Sequence, residues 1–128
     1  METRLRAALL DWLRGDPAIA DAVNIVDEAE IPRASLPWLA MVASASTDWS
    51  SKTHNGREIR IALELRHRGD GPGDAADLLR AIEQRVEILP ADQPGYRIVT
   101  KQFLRARHER QTRNERASLI EYRLRILL

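Results

Sequence analysis

The sequence predicts an α+β fold: a small antiparallel or mixed sheet of about four to five strands, with an N-terminal helix and one central amphipathic helix packed on one face. Three observations carry this. From Arg57 to Arg66 the chain alternates, with Ile59, Ile61, Leu63 and Leu65 on one side and Glu58, Arg60, Glu64 and Arg66 on the other, the period of a half-buried strand. After a break at residues 69–73, Asp74 is placed to cap a helix in which Ala75, Leu78, Leu79, Ile82, Val86 and Leu89 recur at helical spacing until Pro90 stops it. Residues 2–14 form a second amphipathic segment, with Leu5, Ala8, Leu9, Trp12 and Leu13 on one stripe and Arg4, Arg6, Asp11 and Arg14 opposite. A sheet with one apolar face and helices with one apolar stripe are stable only when packed together.

The remaining elements follow in order. Gly15, Asp16 and Pro17 end the first helix, and Pro17 suits the start of a short second piece running to about Ala22. Asn24 to Asp27 reads as a brief strand. Pro32 and Pro37 bracket a turn, after which residues 38–46 are apolar and free of turn residues, a strand to pair with Arg57–Arg66. Between these two strands lies a polar connection, residues 47–56, holding Trp49; it is long for a hairpin, and long loops in small domains are often functional. Ala91 to Gly95 reads as a turn. Two more strands follow, Tyr96 to about Arg107 and Glu115 to Leu127, joined by the wholly polar stretch 108–114, which predicts a solvated arm or wide hairpin tip.

At 128 residues the chain fits a single domain spanning 1–128, able to bury roughly two thirds of the surface its unfolded form exposes. Its 44% hydrophobic and 30% charged residues are those of a globular protein rather than a disordered chain. No cysteine is present, which excludes a disulfide framework, a thiol nucleophile and a Cys-ligated metal site. The first helix is charged and amphipathic, without the apolar core of a signal peptide, and no apolar run is long enough to span a bilayer; a cytoplasmic site of synthesis is the expectation.

The motifs of catalysis are missing, and no cofactor is expected. His54, His67 and His108 stand apart with no metal-ligand spacing. The loop 69–73 lies where phosphate loops lie but has neither fingerprint, and Pro72 removes an amide such a cradle would use. Ser46, Ser50 and Ser51 lack the glycines of a nucleophile elbow. Trp12 and Trp38 read as core. Trp49, a large apolar side chain in a polar loop, suits a partner contact or packing under its own loop equally well.

Charge is the remaining signal. The net charge is +1, yet from Arg97 onward nine basic residues face three acids, so the rest of the chain is acidic. Arg105, Arg107, Arg110, Arg113 and Arg116 gather around the expected hairpin tip. An arginine bias is accounted for by genomic base composition alone; the functional reading is that this basic end faces DNA or an acidic surface of another subunit, since complementary potentials fix partner and orientation. The nucleic-acid reading, a monomeric binding module using this hairpin, is weakened by the lack of aromatic residues interleaved for base stacking.

The order of elements together with one motif, Asp48-Trp49-Ser50 followed by Lys52-Thr53 and Gly56, resembles the phage-related family known as DUF3168, similar to the tail terminator or tail completion proteins of long-tailed phages and gene transfer agents. The resemblance covers nearly the whole chain. It implies a structural protein without catalysis: a protomer of a hexameric ring at the head-proximal end of the tail tube. Its partners would be itself, the tail tube protein and the head–tail connector, with DNA passing through the channel without sequence recognition. Trp49, Lys52 and the five arginines from Arg105 to Arg116 are the candidates for subunit or tail contacts. A ring needs two different complementary patches on each protomer, and an acidic body with a basic hairpin offers two.

Overall fold

The computed structural model describes residues 1–28, 35–69, 75–111 and 113–128. Their elements are α1 (Glu2–Arg14), α2 (Pro17–Ala20), β1 (Val26–Glu28), β2 (Trp38–Asp48), β3 (Gly56–Arg68), α3 (Ala76–Glu87), β4 (Asp92–Gln93), β5 (Tyr96–Arg110) and β6 (Glu115–Leu127). The strands form one six-stranded sheet in the order β1-β2-β3-β6-β5-β4, antiparallel except for the β1–β2 pair.

The strand count corrects the expectation of four to five. The extra strand is β4, inside the segment read as a turn: Gly95, at φ 84°, closes it tightly enough that Asp92 and Gln93 pair with Arg97 and Tyr96. The other elements lie close to where the periodicity put them. The organising strand extends to Gly56–Arg68 at both ends, and α2 is shorter than expected, capped by the Asp16 carboxylate accepting from the Ala18 amide at 3.0 Å. Asp74, expected as the cap of α3, lies outside the described residues, as do Pro32, Pro72 and Thr112.

Cross-strand register sorts the side chains onto two faces. One carries Leu39 and Met41 of β2, Ile59, Ile61, Leu63 and Leu65 of β3, Ile120, Tyr122, Leu124 and Ile126 of β6, and Ile98 of β5, all buried. The helices cover it. Glu2 of α1 accepts from Ser44 of β2 and Arg6 pairs with Glu28 of β1, so α1 lies over that side; on the other side Lys101 of β5 donates to the carbonyls of Glu87 and Leu89 at 2.6 Å, at the end of α3. The two helices hold each other through Trp12 and Arg85. The indole N–H donates to the Arg85 carbonyl, Arg85 Nε donates to the Trp12 carbonyl, each at 2.8 Å, and the guanidinium stacks 3.6 Å from the ring centroid. Trp12 is thus half-buried between helices rather than deep in the core, and Trp38 is half-buried on the opposite face with Arg66 over its ring.

Two stripes differ in detail from their sequence readings. In α1 the buried set is Leu5, Leu9, Leu10 and Leu13. Leu10 joins it, in a helix that meets α2, α3, β1 and β2 and so buries a wide arc. In α3 only Ile82 and Val86 are fully buried, while Leu78 and Leu79 are partly exposed at its side.

Beneath α3 the Tyr122 hydroxyl is buried without a hydrogen-bond partner among the described residues. Burial, followed by the charges of Glu83 and Glu87, pushes this phenol well above its ordinary pKa, so it stays neutral. An unmet buried donor costs more than an absent one. Tyr122→Phe is therefore expected to leave stability unchanged or raise it by up to about 1 kcal/mol. A loss greater than about 1 kcal/mol in a denaturant melt would show that the hydroxyl has a partner, such as a bound water.

Candidate subunit interface

The side of the sheet away from the helices has no described element over it, and it is built from charges. Glu58 of β3 accepts from Arg125 of β6 at 3.0 Å and lies 3.7 Å from Arg123; Arg66 approaches Glu64 and Glu115, each at 3.6 Å; Arg105 of β5 bonds Glu121 directly across the strand pair. The small residues between them, Ala62 and Ala117, are nonetheless buried, as expected when long arginine and glutamate stems lie across a face. Sequence reasoning passed over this lattice, although its signal was present in the alternating charges of Glu58, Arg60, Glu64 and Arg66 and of Glu121, Arg123 and Arg125.

The candidate residues fall into two groups that the fold keeps apart. The loop after β2 shrinks to residues 49–55, because the strands continue to Asp48 and resume at Gly56. It is closely knit. The Trp49 amide donates to the Gly56 carbonyl at 3.0 Å, Ser50 Oγ donates to Asp48 at 2.7 Å and accepts from the Gly56 amide at 3.0 Å, and the Ser51 amide donates to the His54 carbonyl at 2.9 Å. The Trp49 ring is half-buried beside Arg125, 5.3 Å from guanidinium to centroid, so it is anchored to the charged face within one protomer. Lys52 is exposed at the loop's tip.

The arginine group runs from the middle of the sheet, at Arg105, to its other end, at Arg113. Its hairpin is narrower than the expected arm: β5 runs on to Arg110, and the chain turns back through Arg113 and Asn114, at φ 54° and 67°. By register, Arg110 and Arg116 stand level with His67, eleven residues along β3 from Gly56, whereas Arg105 stands level with Ala62, six along, so at roughly 3.3 Å per residue the arginines lie about 20–40 Å from the loop along the strands. The arginines are also unequal. Arg105 is held by Glu121 and Arg107 lies 3.9 Å from Glu109, while Arg116 donates to the Gly69 carbonyl at 3.1 Å. Arg110 and Arg113 are exposed and have no carboxylate partner among the described residues. The repulsion expected within the cluster is thus partly relieved inside the chain, leaving these two as its free charges. The hydrogen bond from Arg105 holds the Glu121 carboxyl below its ordinary pKa, so the pair's contribution is present at neutral pH and lost as Glu121 protonates in acid.

No group of three or more His, Asp or Glu residues placed to hold a metal occurs among the described residues, and none of their helices is long and apolar enough to cross a membrane. The family model described as tail completion protein gp17 matches residues 7–127. The chain belongs to this tail completion family. The tail completion assignment agrees with the resemblance drawn from the Asp48–Gly56 motif and makes the chain a structural tail protein rather than an enzyme. Among solved structures, a chain from the virion of a native gene transfer agent particle shares its fold, with a TM-score of 0.80 and 23% sequence identity over 97% of this chain and 95% of that one. No curated protein sequence matches it.

Proposed function

We propose that copies of this chain assemble head to tail into a ring, a hexamer, seated at the head-proximal end of a tail tube. There it ends tube growth and presents a surface to the head connector, while DNA passes through the channel without sequence recognition. The observation that carries this reading is membership of the tail completion family over residues 7–127. The likeness of its fold to a chain of a gene transfer agent virion supports a place in a phage-like particle. Chemistry agrees, since a terminator must bind and stop rather than turn over a substrate.

Within this reading the hairpin tip is a protein contact, with Arg110 and Arg113 reaching for carboxylates on a neighbour. Arg110→Glu combined with Arg113→Glu places like charges across that contact and is expected to impair ring formation or docking to purified tail tubes in the absence of DNA. Sedimentation of mutant and wild type, alone and with tubes, at low and moderate salt, measures this. Light scattering gives the ring size directly, against the 14.6 kDa of one chain. Normal rings and normal docking combined with lost retention on a DNA column would assign the two arginines to phosphate binding instead.

A further inference from the structure

Among the described residues the sheet ends in two long unpaired edges. β4 pairs only with Tyr96 and Arg97, and the Ile98 amide bonds the Ala91 carbonyl, so from Val99 to Arg110 no described strand lies along the outer side of β5. β1 pairs only with Leu39, Ala40 and Met41, so among the described residues no strand lies along the outer side of β2 from Val42 to Asp48. Each stretch presents a row of backbone donors and acceptors suited to another strand.

The two edges complement each other. β5 carries Arg97, Lys101, Arg105, Arg107 and Arg110 against the single acid Glu109, whereas β1 and β2 carry Asp27, Glu28 and Asp48 and no basic residue. Two of these acids already meet arginines of α1, Asp27 with Arg14 and Glu28 with Arg6, but Asp48 has only the Ser50 hydroxyl. Val99 and Phe103 are 44% and 45% exposed on β5, Phe103 on the helix face beside Tyr122, while the small, exposed Ala43 and Ala45 of the β2 edge lie on the charged face. Direction fits too. Counting across the antiparallel pairs β2–β3, β3–β6 and β6–β5, β5 runs opposite to β2, so copies related by rotation about an axis along the strands bring the two edges together antiparallel.

We infer that the free edge of β5 in one copy pairs with the free edge of β2 in the next, so that backbone hydrogen bonds join the sheets of neighbouring copies. This rests on the ring reading and adds how the ring closes. The basic side chains and the register shifts near Val99 and Leu104 keep the β5 edge from joining strands at random and favour the acidic edge of another copy.

The register lines of the sheet say which residues meet. Thr100, Arg125, Glu58 and Thr47 stand on one line across β5, β6, β3 and β2, and Gln102, Arg123, Arg60 and Ala45 on another. In a flat ring, Thr100 of one copy then lies level with Thr47 of the next. The chain has no cysteine, so engineered pairs are its only thiols. Thr47→Cys with Thr100→Cys, Ala45→Cys with Gln102→Cys, and the two crossed combinations allow for strand tilt. Adjacent antiparallel residues lie within disulfide range.

Oxidising the double variants, first shown by light scattering to form rings when reduced, is expected to give a covalent ladder that ends at the ring. Mixing the two single variants should give dimers only, and each single variant alone should give none. Rings that stay uncrosslinked in all four combinations overturn the edge pairing and leave the ring reading standing. Failure of the wild-type chain to form rings, alone and with tail tubes, overturns the ring reading and this inference with it.

Discussion

Ile82→Ala is expected to cost about 2–5 kcal/mol, the range for removing a branched side chain from a closed core. Ile82 is wholly buried in the middle of α3 and belongs to the same apolar cluster as the strand residues Ile120 and Leu63. Leu79, one turn earlier, looks equivalent by helical spacing but stands at the margin of the cluster, partly exposed. Leu79→Ala should therefore cost roughly half as much or less, because only the area it hides from water is lost. Guanidinium melts of the two variants, with unchanged m-values, compare them directly. Equal losses at the two sites would mean that α3 is rotated on the sheet relative to the arrangement described here.

The second large effect is expected at Gly56. A Cβ there would lie 2.5 Å from the Trp49 carbonyl oxygen, 3.0 Å from the Ile126 carbonyl oxygen and 3.1 Å from Cε3 of the Trp49 ring. Both oxygens are backbone atoms, Trp49 fixed by its amide's bond to the Gly56 carbonyl and Ile126 by its pairing with Arg57, so neither can yield cheaply. Gly56→Ala should cost about 1–3 kcal/mol, as overpacking of a closed site does, and should displace the Trp49 loop. Denaturant melts read the first effect, and near-ultraviolet circular dichroism reads the altered setting of the indole. An unchanged melt and an unchanged spectrum would contradict the close approach. The glycine is thus required by proximity: the loop crosses directly against the start of β3.

Much of the fold was legible because its signals are local and periodic. The alternation from Ile59 to Leu65 and from Ile120 to Ile126 located both central strands, and β6 ends at Leu127 as its pattern indicates. Features set by several elements at once were harder to read. Leu10 is buried off the stripe of α1, Leu79 stays partly exposed although it is on the stripe of α3, and β4 exists through one turn at Gly95. The interface candidates divided in the same way. Composition found the basic hairpin, but which arginines are neutralised within the chain depends on register, which sets Arg105 opposite Glu121. Trp49 was recognised as unusual, yet its anchor, Arg125, lies far along the sequence and is brought near by the β3–β6 pairing.

The place of β6 in the strand order bears on when the protein can fold. It is the last element in the chain but lies in the interior of the sheet, between β3 and β5, with partners along nearly its full length. While a ribosome is still making residues 115–127, β3 has only β2 beside it, and half of its ladder and much of the apolar floor beneath α3 are missing. Contacts between such distant parts of the chain form late and slowly. A nascent or truncated chain that lacks β6 therefore cannot close its core, and β5 takes its place at the edge of the sheet only once β6 has joined β3.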